Sequence, residues 1–231
     1  MWIFSKPLDQ LAGEDFVFLI ANRVRESATL EFKRDVYGAN NAGIREMARD
    51  VSALANAEGG ILIIGMAEDD DGVAKELCGV PEAEIQANRL IASCMANVSE
   101  RIPGLRALPI PLVSGHVIVA QIPRSYRRPH MITFEGANDF WIRHDRQKSR
   151  MSIAEVRTAV TMTEELERKV ERFLEDRRRG WAEEEKTIFV LSATPLLLEE
   201  GRIAVTDVRL ARATANTTTW PRRDSRRRND S

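Results

Sequence analysis

The stretch from Ala42 to Gly65 changes its hydrophobic period midway, and no other feature constrains the fold as tightly. Ile44, Met47, Ala48, Val51, Leu54 and Ala55 recur at helical spacing, while Arg45, Glu46, Arg49 and Asp50 fall on the opposite, water-facing side. Gly59 and Gly60 then stop the helix, because glycine accepts the left-handed backbone of a helix end without a steric penalty. Ile61, Leu62, Ile63 and Ile64 follow with no polar residue among them. So short an apolar run after a helix predicts a strand buried on both faces. Helix, glycine pair and buried strand together predict an α/β (α+β) fold, a mixed β-sheet with packed helices.

The flanking segments extend that plan. Leu8, Leu11, Phe16, Leu19, Ile20 and Val24 predict a helix over residues 8–25. In the extended segment 29–33, period two puts Leu30 and Phe32 on one face and Glu31 and Lys33 on the other. A helix is expected over 82–101 with Ile85, Leu90, Ile91 and Met95 inward. Strands 110–113 and 117–122 read as a hairpin turning at Ser114 and Gly115. A strand at 140–143 and a helix at 152–160 close a domain spanning 1–160. A helix over 161–186 and a small strand-containing appendage over 187–212 come next. The Arg-rich tail 213–231 has the composition of a disordered segment.

Composition narrows the class only a little. The 231 residues are 43% hydrophobic, enough for a core, and 34 Lys and Arg against 35 Asp and Glu leave a net charge of −1. Charge balance alone therefore announces no polyanion partner, although basic residues cluster after position 120 and at the C-terminus. No apolar run approaches the length of a membrane span, and the first residues lack the pattern of a secretory signal. Cys78 and Cys94 are isolated, as expected of thiols in a reducing compartment. A cytoplasmic protein with no membrane contact is the expectation.

Several segments, in order, resemble one family. Glu26 stands five residues before the Glu31-Phe32-Lys33 triplet. The run from Ser52 to Gly65 combines small residues, Asn56, the glycine pair and the apolar strand. An acidic turn, Glu68 to Gly72, comes next, then Pro129-His130, the block Phe140-Trp141-Ile142-Arg143, Lys148-Ser149 and a helix carrying Glu155. Residues 8–160 in this way resemble the Schlafen-type AlbA domain, a family with RNA-cleaving members and many members described as nucleic-acid-binding or ATP-binding. The resemblance implies RNA or DNA as partner, and AlbA-like relatives imply a homodimer.

It also implies a site. In the RNA-cleaving relatives, two glutamates and an aspartate stand at positions matched here by Glu26, Glu31 and an acid of the 68–72 turn. Asp69 is the choice, with Glu68 and Asp70 as alternatives. Such acids would hold Mg²⁺ or Mn²⁺, hard cations that prefer oxygen ligands and offset charge at a phosphodiester. Lys33 would stabilise the developing anion or orient the attacking water. Glu26 and Glu31 differ by an odd number, so they converge only if the chain bends near Ser27 and Ala28.

A Glu-x-Lys pair is also a common surface ion pair, and the domain can equally be a DNA- or RNA-binding regulator that does not cut. Arg124, Arg127, Arg128, His130, Trp141, Arg143 and Lys148 interleave base and aromatic groups in the manner of a nucleic-acid contact surface. His130 reads equally as a fixture of the Pro129 turn. The phosphate-binding loop GxxxxGK[ST] is missing, which weakens an ATP site.

Overall fold

A computed structural model describes residues 3–4 and 6–179, with side chains as far as Glu175. The expected appendage 187–212, the tail 213–231 and the last residues of the expected helix 161–186 lie outside the described residues.

The sharpest sequence expectation holds. Asn41–Asn56 form a helix, α2, capped by the Asn40 side chain, which accepts from the Gly43 N–H at 2.9 Å. Gly60–Ile64 form strand β2, buried along its whole length. Before them run helix α1 (Gly13–Ala21), shorter than expected, and strand β1 (Leu30–Lys33). After β2 come β3 (Met66–Glu68), β4 (Ala74–Leu77), α3 (Ala83–Asn97) and β5 (Val98–Ser99). The expected hairpin is β6 (Arg106–Pro111) and β7 (His116–Ile122). β8 (Met131–Ile132), β9 (Asp139–His144), β10 (Gln147–Arg150) and α4 (Ile153–Arg179) complete the order. α4 passes through position 160 unbroken, so the two helices expected there are one.

Two four-stranded sheets and a β3–β4 pair are built from these strands. The central sheet has the order β1-β2-β7-β6, with β1 parallel to β2 and the other neighbours antiparallel. Because β2 and β7 alternate across it, Leu62, Ile64, Ile118 and Ile122 pack on Met47, Val51 and Leu54 of α2 and Leu90 of α3. Ile61, Ile63, Val117 and Val119 point the other way, onto Phe16 and Leu19 of α1 and Leu30 and Phe32 of β1. Gly59 must be glycine: its φ is +70°, and a Cβ there would lie 2.3 Å from the Arg124 backbone nitrogen.

The second sheet, β10-β9-β8-β5, covers the other side of α2 through Val98, Ile132 and Trp141 packed on Ala48. This overturns one expectation. Asp50, assigned to the water-facing side of its helix, is 1% exposed, because β9 and β10 lie over that face. The register of α3 also differs. Ala83, Ala87, Leu90 and Cys94 are its buried positions, whereas Ile85 and Met95 are exposed. Among the described residues no helix is long and apolar enough to cross a membrane.

Candidate functional site

The bend between the two early glutamates is there. Ser27 and Leu30 exchange backbone hydrogen bonds around Ala28 and Thr29. The Glu26 carboxylate thereby swings back to accept from the Phe32 N–H at 2.6 Å. The preceding backbone is tied to the β3–β4 unit, with the Glu26 N–H donating to the Gly72 carbonyl at 2.8 Å and the Ala74 N–H to the Val24 carbonyl at 2.9 Å. That tie sets Glu68 beside Glu26, close enough for the two carboxyls to share a proton.

Between Glu26 and Glu31 lies a guanidinium. Arg143 of β9 pairs directly with Glu31, stands 3.9 Å from Glu26, and donates to the carbonyls of Ser27 at 3.0 Å and Leu30 at 3.3 Å. Glu31 is buried and also accepts from Lys148 at 2.7 Å. Lys148 in turn bonds Asp50, which accepts from the Tyr37 hydroxyl at 2.7 Å. Lys33 is 3.9 Å from Glu31 but closer to Glu46, at 2.7 Å, and to Asp50, at 3.3 Å. A network of acids and bases thus fills the interface of β1, α2, β9 and β10, each buried charge facing an opposite one, as burial requires.

Asp69 has a different job. Its Oδ1 accepts from the N–H groups of Asp71 at 3.0 Å and Val73 at 2.9 Å, closing the acidic turn. Those bonds, chiefly that from Val73, hold its carboxyl below the usual carboxylate range. Glu26 is shifted the other way. Burial raises it and Glu68 adds to the rise, against the Phe32 N–H and Arg143, which favour the anion. Glu26, Glu68, Asp69, Asp70 and Gly72 line an open cleft of about 540 Å³ together with His144, Asp145, Arg146 and Gln147 of the β9–β10 hairpin, and Arg146 donates to the Asp71 carbonyl of the acidic turn. Glu31 is not among the lining residues. Among the described residues no three acidic, histidine or cysteine side chains gather as a ready-made metal site.

This arrangement of segments coincides with a known sequence family. The pattern described as Schlafen, AlbA_2 matches residues 26–152, more than half of the chain. The chain belongs to the Schlafen AlbA_2 family. The match begins at the cleft glutamate and ends just before α4, so the cleft and the ion-pair network both lie within the Schlafen AlbA_2 domain. Two solved structures are similar over 62% of the chain, each at 14% identity. One is the DIP2311 protein of Corynebacterium diphtheriae, of which 27% is covered, with a TM-score of 0.42. The other is the N-terminal domain of a protein described as related to the ATP-dependent DNA helicase RecG, from Nitrosomonas europaea, 95% covered with a TM-score of 0.44. No curated protein sequence matches the chain.

The remaining residues expected at a nucleic-acid surface divide into two sets. Arg143 and His130 are buried in the Schlafen AlbA_2 domain. His130 Nδ1 bonds the Glu100 carbonyl at 2.8 Å, and burial lowers the imidazole's pKa, so this histidine fixes the turn. Trp141 is half-buried, and Lys148 is held by Glu31 and Asp50. Arg124, Arg127 and Arg128 occupy the β7–β8 loop, nearer the surface. Arg124 pairs with Glu58 at 3.3 Å, and Arg127 pairs with Glu100 at 3.9 Å and lies over Tyr126. Arg128 donates to carbonyls at the C-terminal end of α2, that of Asn56 at 3.5 Å and that of the cap residue Ala57 at 3.4 Å. His144, Arg146 and Gln147 are cleft residues that the sequence marked, at most, as members of a basic run.

Proposed function

We propose that this domain binds nucleic acid at the cleft, holding a backbone phosphate through a divalent cation carried by Glu26 and Glu68. The observation that supports it is the apposition of these two carboxyls in a cleft that Arg146 also lines. Two like charges side by side call for a proton or a cation. Mg²⁺ or Mn²⁺ suits such a pair, since these ions commonly take one or two protein carboxylates and complete their shell with water and phosphate. Of the alternatives for the third acid, Glu68 is favoured over Asp69, whose Oδ1 is engaged by its own turn. Glu31 serves from behind: with Arg143 and Lys148 it positions the hairpin that brings His144 and Arg146 to the cleft. Lys33 supports the same network through Glu46 and Asp50.

Cleavage of a bound RNA strand is the second reading. Its support is Glu26, a carboxyl raised by burial and so better matched to accept a proton near neutrality than an ordinary glutamate. A bound cation would lower the charge barrier at the phosphodiester. Labelled tRNA and labelled DNA incubated with the protein in Mn²⁺ or EDTA separate the readings. A mobility shift that needs the metal and is lost in Glu26→Gln and Glu68→Gln supports binding. Fragments that vanish in EDTA and in both variants add endoribonuclease activity. A protein that shifts no RNA or DNA in either buffer refutes both, and thermal stabilisation by ATP would then favour a nucleotide site.

A further inference from the structure

Away from the cleft, where α2 meets β9 and β10, side-chain donors are buried without acceptors: Nε of Arg45, Nε of Arg49 and Nε1 of Trp141. Neighbouring cations there are matched by acids. Arg45 pairs with Glu135 at 2.8 Å, Arg150 with Asp139 at 3.2 Å and Lys33 with Glu46 at 2.7 Å. Arg49 instead lies over the Trp141 ring, 4.7 Å from its centroid, and faces no carboxylate within ion-pair distance among the described residues. The Arg150 guanidinium is 5.9 Å from the same centroid. Arg49 therefore brings to this rim a positive charge that no carboxylate among the described residues offsets, set on an aromatic plane, which is the chemistry of an anion site.

We propose that Arg49, seated on Trp141 beside Arg150, is a phosphate contact for a single strand of nucleic acid. The inference rests on the reading that the domain binds nucleic acid, though not on the metal at the cleft. A guanidinium stacked on an indole keeps its in-plane donors for a phosphate, and aromatic side chains interleaved with arginines suit an unpaired strand rather than a duplex. β10 is the edge strand of its sheet. Arg146 at the cleft and Arg150 at this rim are four positions apart, roughly 14 Å at about 3.4 Å per residue. One strand running along β10 meets both.

The test is fluorescence anisotropy with a short labelled single-stranded RNA and the corresponding duplex, across a salt series in Mg²⁺ and in EDTA. Wild type, Arg49→Gln, Arg49→Lys and the Glu26→Gln/Glu68→Gln double variant are compared, with thermal melts confirming that each is folded. Arg49→Gln is expected to weaken single-strand binding about tenfold in both buffers and to reduce the salt slope by about 0.7, and Arg49→Lys to restore the slope. Wild-type affinity and slope in Arg49→Gln overturn the proposal, as does an equal loss on the duplex. If the acid variant binds like wild type in Mg²⁺ while Arg49→Gln is impaired, the cleft reading falls and this one stands. If wild type binds neither RNA in either buffer, both fall.

Discussion

Replacing Arg143 with Met tests whether the ion-pair network holds the hairpin to the central sheet. The guanidinium has no solvent exposure and meets Glu31, the Ser27 and Leu30 carbonyls and, more distantly, Glu26. Methionine fills much of the volume and supplies none of these donors. Glu31 would then be left inside the protein, 6% exposed, with Lys148 at 2.7 Å and Lys33 at 3.9 Å as its cations. Breaking a buried pair from one side costs about 3–5 kcal/mol. Lys148 keeps part of the compensation, which places the expected loss in the lower half, about 3–4 kcal/mol. For a chain of this size that is a fall in Tm of roughly 6–16 °C. The assay is urea unfolding of wild type, Arg143→Met, Glu31→Met and the double variant. The double variant, having no orphaned charge in this pair, should fall short of the summed single losses by at least about 2 kcal/mol. A single-variant loss below about 1 kcal/mol, or simple additivity, refutes the idea that this pair pins the hairpin.

Other outcomes follow from the same geometry. Asn56→Ala removes an amide that accepts from the His130 N–H at 2.7 Å and donates to the carbonyls of His130 at 3.0 Å and Trp141 at 2.8 Å, so chemical denaturation should register a loss of about 2–4 kcal/mol. Glu26 has a folded-state pKa raised above its unfolded one, so its stabilising contribution is complete below the unfolded value near 4.3 and disappears as pH rises through the folded value. Glu26→Gln should therefore raise Tm at pH 7 and leave it unchanged near pH 4; a lower Tm at pH 7 would contradict the assignment. Gly59→Ala drives a Cβ into the Arg124 and Ile122 backbone from a left-handed position, and should cost at least about 2 kcal/mol, read as a shift in denaturation midpoint.

Legibility followed the range of the physics involved. The helix–glycine–strand unit at α2 and β2 could be read from residues within a few positions of one another, and β7 and β9 announced themselves by apolar or aromatic runs. β3, β4, β5, β8 and β10 did not, being two to four residues long, and β10 is polar throughout. Asp50 was misplaced for the same reason: periodicity shows which face of α2 meets the first sheet and is silent about a second sheet arriving some 90 residues later. The bend after Glu26 was required by the parity of its spacing to Glu31, and the structure has it. That Arg143 lies between those glutamates could not be foreseen, since the Arg143–Glu31 contact spans 112 residues and nothing local distinguishes a buried arginine from an exposed one. The acidic turn was legible as a turn. Which of its acids meets Glu26 depends on how β3 pairs with β4, and that pairing shifts register between Ala67 and Glu68.

The cleft draws its lining from different sheets. Glu68 ends β3, whereas His144 and Arg146 belong to a hairpin tip whose Asp145 adopts a left-handed φ of 52° outside either hydrophobic layer. The aperture can accordingly be reset by exchanging residues at that tip while the cores stay untouched. Ligand preference in proteins built on this plan is thereby free to drift faster than their stability, and comparing tips among them is a direct way to look for it.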